Sequence, residues 1–420
     1  MTDPGPMRRW VRLPRTFAAL RHRNYRLFFG GQMVSVTGSW MQNMAMSWLI
    51  YQLTNSALLL GAIGSLGTLP MLVLGVPGGV MADRVEKRRI LLATQSAAMV
   101  LAFVVAALTF GHLIRPWHIA ALSLLSGTVF ACDMPARQAF VVEMVEDRRH
   151  LMNAIALNSS IFNGARIIGP AIAGVLVASV GPAWCFLING VSFTAVLVGL
   201  LLMRFPPRPR PPQETSVLAD ALSGLRYLRA NSTVMGLAGL LAVFSVFGWS
   251  YAVLMPVFAR SVLHVGPRGL GYLMTATGVG ALAGALTVAS LSGRPSRSVL
   301  FGGALLLSAA LLGFSASRAF ALSLGLAALA GFGGVAFMST ANTTFQMSVP
   351  DEVRGRMMGV WALVFAGSAP LGSFQMGIVA QYFGAPTAVA IGAAISAVAA
   401  LGALVLLARR RRGPAPGEST

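Results

Sequence analysis

Apolar runs of roughly twenty residues or more, separated by short polar connections, follow one another along most of the chain. As helices rising 1.5 Å per residue, runs of that length span the hydrocarbon core of a bilayer. The pattern predicts twelve, near residues 26–51, 57–81, 90–110, 117–140, 152–180, 183–203, 233–258, 269–291, 299–315, 319–345, 357–382 and 386–408. An all-α, polytopic membrane protein is therefore expected. The basic N-terminal stretch is long, and the first apolar run, from about Leu27, lacks an Ala-x-Ala site, so it reads as a span and not as a cleavable signal.

Composition points the same way: 56% of the 420 residues are hydrophobic and only 10% charged, too apolar for a soluble domain. The net charge of +20 would suit nucleic acid, but its placement argues otherwise. Of the 32 Lys and Arg, 27 lie in the N-terminal segment, around the connections after the even-numbered runs, and in the tail Arg409–Arg412. The opposite connections hold Arg115, Arg260, Arg268 and Arg318. By the positive-inside rule both termini are cytoplasmic. The basic rim then meets anionic lipid of the cell membrane, and no nucleic-acid partner is expected.

Several chemistries drop out. Cys132 and Cys185 sit inside apolar runs and imply no disulfide framework. The histidines are scattered, with no metal-ligand spacing. Lys87 is the only lysine, which excludes a Walker-type phosphate loop. Gly278, Gly280 and Gly284 lie in an apolar helix, where small residues let helices approach. No enzyme activity, cofactor or metal is expected.

The longest connection divides the chain into a six-run half (1–203), a linker (204–232), a second six-run half (233–408) and a basic tail (409–420). RFPPRPRPPQE should be extended, while Leu218, Leu222, Leu225 and Leu228 place an amphipathic helix on the membrane surface. The halves resemble each other. GARIIGPAIAGVLVASVG (164–181) aligns without a gap on GSAPLGSFQMGIVAQYFG (367–384), so that Gly164, Gly169, Gly174 and Gly181 match Gly367, Gly372, Gly377 and Gly384. VEDRRHLMNA (145–154) precedes the first as VPDEVRGRMMGV (349–360) precedes the second. Two six-helix pseudo-repeats with a site between them are a transporter architecture.

One knot of charge interrupts this apolar chain: six of the seven residues from Asp83 to Arg89 are charged. Gly79, Asp83, Arg84, Lys87 and Arg88 resemble the G-x-x-x-D-R-x-G-R-K loop of the major facilitator superfamily, and the resemblance extends over essentially the whole chain. Glu86 replaces the motif's second glycine, which puts the local turn in question. LSGRPSRS (291–298) keeps Arg294 and Arg297 without the aspartate. Gly164, Gly169, Pro170 and Gly174 resemble the family's antiporter glycine–proline motif. LRHRNYRLFFGGQMVSVTGSWMQ (20–42) and DMPARQAF (133–140) look like the branch that contains the enterobactin exporter. The resemblance implies a major facilitator fold, alternating access, and export driven by proton antiport; a monomer is expected. The arginine of the family's span-four antiporter motif is absent: Ser123 stands four residues before Gly127, so that proton relay does not transfer directly.

With the family pattern in hand, Gly79, Asp83, Arg84, Lys87, Arg88, Asp133 and Arg137 are the expected cytoplasmic gate, since an ion-pair latch is strong when dry and weak when wet. The alternative is that Arg84 to Arg89 only anchor topology. Asp133 is the acid placed within the spans, hence the candidate for proton coupling. Arg166 is the charge near the bilayer centre. It either faces a cavity and favours an anionic or electron-rich substrate, or is structural, satisfied by backbone carbonyls and amides with Asn163 one turn away. Polar and aromatic residues recur at helical spacing: Gln32, Ser35, Ser39, Gln42 and Met46; Phe244, Gly248, Tyr251 and Met255; Met338, Asn342 and Gln346; Trp361, Phe365, Ser368 and Gly372. Each stripe alone is explained by packing, but the family lines its cavity with these spans, and the mixture suits a large, partly apolar ligand. The leading expectation is a proton-coupled exporter of a bulky small molecule, a siderophore-like metabolite or a drug. Uptake and a non-transporting scaffold or sensor stay open.

Overall fold

The computed structural model describes residues 15–145, 147–204, 226–291 and 296–412, with backbone alone at a few helical positions that include Asp83 and 408–412. Every long element among them is a helix. We label them α1 (Arg23–Thr54), α2 (Ala57–Arg84), α3 (Lys87–Phe110), α4 (Pro116–Met144), α5 (Leu151–Ser179), α6 (Ala183–Leu202), α7 (Ser232–Val262), α8 (Gly266–Ser290), α9 (Arg297–Ala316), α10 (Phe320–Met347), α11 (Asp351–Phe383) and α12 (Ala385–Arg412). Eleven are long and apolar enough to cross a membrane; α1 lies outside that set because Gln32, Ser35, Thr37, Ser39, Gln42, Asn43 and Ser47 lower its hydropathy. Large side chains such as Val73, Leu113, Val398 and Leu406 are well exposed. Only a lipid surround makes so much open apolar surface stable on a helical bundle. This is a multi-pass membrane protein.

Local chemistry sets the ends. The Ser56 hydroxyl caps α2 by accepting from the Leu59 N–H, and Asn55 closes α1 in the left-handed region at φ 50°. Between α2 and α3 the turn is only Val85 and Glu86, both extended, with Glu86 at φ −60°. No left-handed residue is needed there, so glutamate replaces the family's glycine without strain. The helices reach farther than the apolar runs at the basic ends: α2 continues to Arg84 and α4 to Met144.

In the linker, residues 226–230 are helical and Leu228 is buried. Leu218, Leu222 and Leu225 lie outside the described residues, as do Arg294 and positions 413–420 of the tail.

Helix packing falls into two sets. In the first, α1 packs on α5 and α6, α2 on α4, and α3 on α4 and α6; in the second, α7 packs on α11 and α12, α8 on α10, and α9 on α10 and α12. The main contacts between the sets are α2 with α11 and α5 with α8. Adding six to each label of one set reproduces the pairings of the other.

The α2–α11 and α5–α8 contacts are built alike. A methyl placed on Gly61 would lie 2.7 Å from the Gly377 Cα, and one on Gly174 would lie 3.0 Å from the Gly271 Cα. Backbones that close admit no side chain between them. Both crossings lie toward the face that carries the starts of α2 and α8, opposite the basic face. The apolar core follows the same division. Toward the crossings one buried cluster runs through both sets, from Met44, Tyr51 and Leu60 to Phe258, Leu270 and Met376. Toward the basic face, Tyr25, Phe28, Leu91, Phe140 and Leu200 form a separate cluster within α1–α6 alone.

Candidate functional site

At mid-depth, between the two sets, stands Arg166. Its Cζ lies 5.8 Å from the ring centroid of Trp40 on α1 and 5.7 Å from that of Trp249 on α7. Each indole is the eighteenth residue of its helix. Each also has a glycine seat: a methyl on Gly169 would come 2.6 Å from the Trp40 Cβ, and one on Gly334 would come 2.8 Å from the Trp249 ring. Aromatic edges fix the rings, Phe162 against Trp40 at 6.1 Å and Phe365 against Trp249 at 6.4 Å. Among the described residues, no hydrogen bond or ion pair reaches the Arg166 guanidinium. Asn163 turns its amide to the Ser159 carbonyl of its own helix at 2.9 Å and leaves Arg166 alone.

Around Trp249, α7 is irregular. A π-turn over Phe244–Gly248 is followed by a 3-10 turn over Ser250–Leu254. Such turns leave carbonyls without their usual partners. Here α11 takes one up, with Gln375 donating to the Val246 carbonyl at 3.3 Å, while Ser245 donates in return to the Phe365 carbonyl at 2.9 Å. Trp249 is thereby held at a break in the helix. Tyr251 follows it, buried, with its hydroxyl against Thr277.

The other expected cavity residues separate. Gln32 accepts from Arg137 of α4 at 2.8 Å and Gln42 from Asn189 of α6 at 2.8 Å, so both amides join helices within the first set. Ser39 bonds back to the Ser35 carbonyl at 3.0 Å. Asn342 accepts from Gln346 near the basic end of α10, and Trp361 is buried against Phe345 with centroids 5.1 Å apart. The central group that remains is Arg166, Tyr251 and Phe365, joined by Trp40 and Trp249. The sequence reading missed these two tryptophans. Their matching register on α1 and α7, after Gly38-Ser39 and after Gly248, was the available sign.

Among the described side chains, the charges expected at the gate do not make one cluster. Asp133 is buried; Thr94 and Gln95 each donate to its Oδ1 at 2.7 Å, and Arg137 pairs with its Oδ2. Lys87 pairs with Glu143 of α4, and Arg88 donates to the Leu200 and Leu201 carbonyls of α6 at 2.8 and 3.0 Å. Glu86 pairs with Arg89, Arg84 is exposed, and a methyl on Gly79 would meet open space. All these partners belong to α1–α6. The side chain of Asp83 lies outside the described residues. Of the glycine–proline motif, Gly169 seats Trp40, Gly174 and Pro170 form the crossing with α8, and Gly164 faces open space.

Hydrogen bonds between the two sets gather near the crossings. The Tyr51 hydroxyl shares one with Ser261 at 2.8 Å, and Arg260 donates to the Tyr51 carbonyl at 3.2 Å with its Cζ 5.7 Å from the Tyr51 ring. Gln381 of α11 accepts from the Ser56 hydroxyl at 3.0 Å and from the Leu58 N–H at 3.2 Å.

Comparison with known proteins places the chain among membrane transporters. Residues 14–414 match the model of a family described as transmembrane secretion effector. The enterobactin exporter EntS of Shigella boydii is 29% identical over 415 residues, covering 95% of each chain. The staphyloferrin A transporter of Staphylococcus aureus is 25% identical, covering 85% of this chain and 89% of its own. The multidrug efflux pump Tap of Mycolicibacterium fortuitum is 27% identical, covering 83% and 87%. Among solved structures, a POT family transporter in complex with 5-aminolevulinic acid has the same fold, with a TM-score of 0.73 at 12% identity over 93% of this chain and 97% of its own.

Proposed function

The chain belongs to the transmembrane secretion effector family of major facilitator transporters, and from that premise we propose that it exports a bulky small molecule across the cell membrane by proton antiport. A siderophore-like metabolite or a drug fits relatives named for enterobactin, staphyloferrin A and multidrug efflux. In this reading α1 also crosses the bilayer, since its amides Gln32 and Gln42 face Arg137 and Asn189 rather than lipid. Twelve spans then form two six-helix halves, 1–203 and 233–408, joined by the linker 204–232, with the basic tail from 409. The arginine distribution makes the basic face cytoplasmic and puts both termini there.

One observation carries the mechanism. The apolar core is continuous across both halves at the outer end and separate at the cytoplasmic end. A pair of halves sealed at one end, parted at the other, with a binding site at mid-depth between them, is the inward-open state of an alternating-access carrier. The glycine crossings seal the outer end. Rocking the halves opens that end and closes the other.

On closure the cytoplasmic charges change partners. Arg84 is exposed, and α11, which packs on α2 from the other set, begins with Asp351 and Glu352. Asp83, Arg84, Lys87, Arg88, Asp133 and Arg137 form the gate, and Gly79 leaves the approach clear. Asp133, the buried acid of α4, is the candidate for proton coupling in this reading. Substrate efflux from proteoliposomes under an imposed pH gradient tests the reading. Acceleration by the gradient is expected; equal rates with and without it exclude proton antiport, and no flux in either direction leaves a scaffold.

A further inference from the structure

Among the described residues, no carboxylate meets the charge of Arg166. Asp133, the buried acid of α4, has both oxygens engaged by Thr94, Gln95 and Arg137. An unpaired cation away from water is costly, and indole faces offset only part of that cost. Among the described residues no protein acceptor meets the edge of the guanidinium, where five N–H donors project in a fixed plane. Such an edge takes a planar oxyanion through two parallel hydrogen bonds.

We propose that Arg166, with Trp40 and Trp249, is the subsite for an aromatic carboxylate, the oxyanion on the guanidinium edge and the ring against the indoles. The proposal rests on the transporter reading and names the substrate class. Three features favour it. The two indoles come from different halves, so the ligand touches both halves at once, as a carrier that couples binding to rocking requires. The glycine seats and the flanking Phe162 and Phe365 hold the rings in place before any ligand arrives. The same guanidinium repels an ammonium at this depth, so the site sorts substrates by charge.

The test is equilibrium binding to purified protein in lipid nanodiscs with probes of one shape: 1-naphthoate, 1-naphthamide and 1-naphthylmethylammonium, with acetate as the anion lacking a ring. The parent should bind naphthoate about tenfold or more tighter than naphthamide, and bind acetate and the ammonium far more weakly. In Arg166→Gln naphthoate and naphthamide should bind alike, while Arg166→Lys keeps a preference for the anion. Trp40→Leu and Trp249→Leu should weaken both naphthyl ligands together. Melting curves accompany each variant; if Arg166→Gln does not fold, the parent and Arg166→Lys still decide. Equal binding of naphthoate and naphthamide by the parent overturns the proposal, as does a loss in Arg166→Gln that is the same for both. Intact pH-driven efflux beside absent charge preference removes this subsite and leaves the export reading standing.

Discussion

At the end that carries the starts of α2 and α8 the two sets meet backbone to backbone at Gly61–Gly377 and Gly174–Gly271, with Tyr51, Arg260 and Gln381 adding hydrogen bonds across the join. At the basic end Lys87, Arg88 and Arg137 are all engaged, and every partner lies in the first set. Close packing of glycines is a dry contact, made or lost as a whole. Charges and carbonyl bonds can be exchanged singly. Among its described side chains, the charged loop that looks like a lock makes no bond from one set to the other.

The largest expected effect falls on the charged end, and on folding. Asp133→Asn leaves the partly buried Arg137 cation without its counter-ion, and breaking a buried pair costs about 3 kcal/mol. A clear fall in melting temperature is expected, partly restored in the double variant Asp133→Asn/Arg137→Gln. Additive losses in the double variant would break the claim that Asp133 and Arg137 act as a coupled pair.

The crossings come next. Gly61→Leu inserts a side chain where a methyl already lies 2.7 Å from the Gly377 Cα. Overpacking of about 2 kcal/mol disfavours the sealed outer end some thirtyfold, and efflux in proteoliposomes should fall accordingly. Gly174→Leu should match it. A loss at one crossing alone would mean that the two are not equivalent pivots.

How much of this was legible in the chain differs by level. The helices were, because apolar runs of membrane length leave few alternatives. Gly174 and Gly377 were already matched by the internal repeat, and the structure gives both the same duty at mirrored crossings. The direction of a polar side chain was not legible. Gln32 and Gln42 share a stripe with Ser35 and Ser39, but their amides go to Arg137 and Asn189, groups more than a hundred residues away. The tryptophans failed to stand out for a related reason: an indole in an apolar helix looks like packing until a cation appears over it.

Smaller effects sharpen the comparison. Arg260→Gln removes the contacts to Tyr51, roughly 1 kcal/mol, and should raise the outward-open population about fivefold, read as faster labelling of a cysteine placed at Ser261. Smallest of all is Glu86→Gly. At φ −60° that position needs no glycine, so transport should be unchanged and the melting temperature within the equivalent of about 0.5 kcal/mol. A large gain from glycine would show that the turn is strained.

The central claim is that the two ends open in alternation. Spin labels at Leu113 and Tyr382 span the outer face, and labels at Met152 and Met347 span the cytoplasmic face; all four positions are exposed. With Cys132→Ser and Cys185→Ala as background, pulsed dipolar distances on the two pairs test the claim directly. Without substrate or gradient, the outer pair should give one short, narrow distance and the cytoplasmic pair a longer one. Adding a transported substrate or lowering the pH should lengthen the first as it shortens the second. Two distances that stay fixed under every condition, or that lengthen together, would contradict the account.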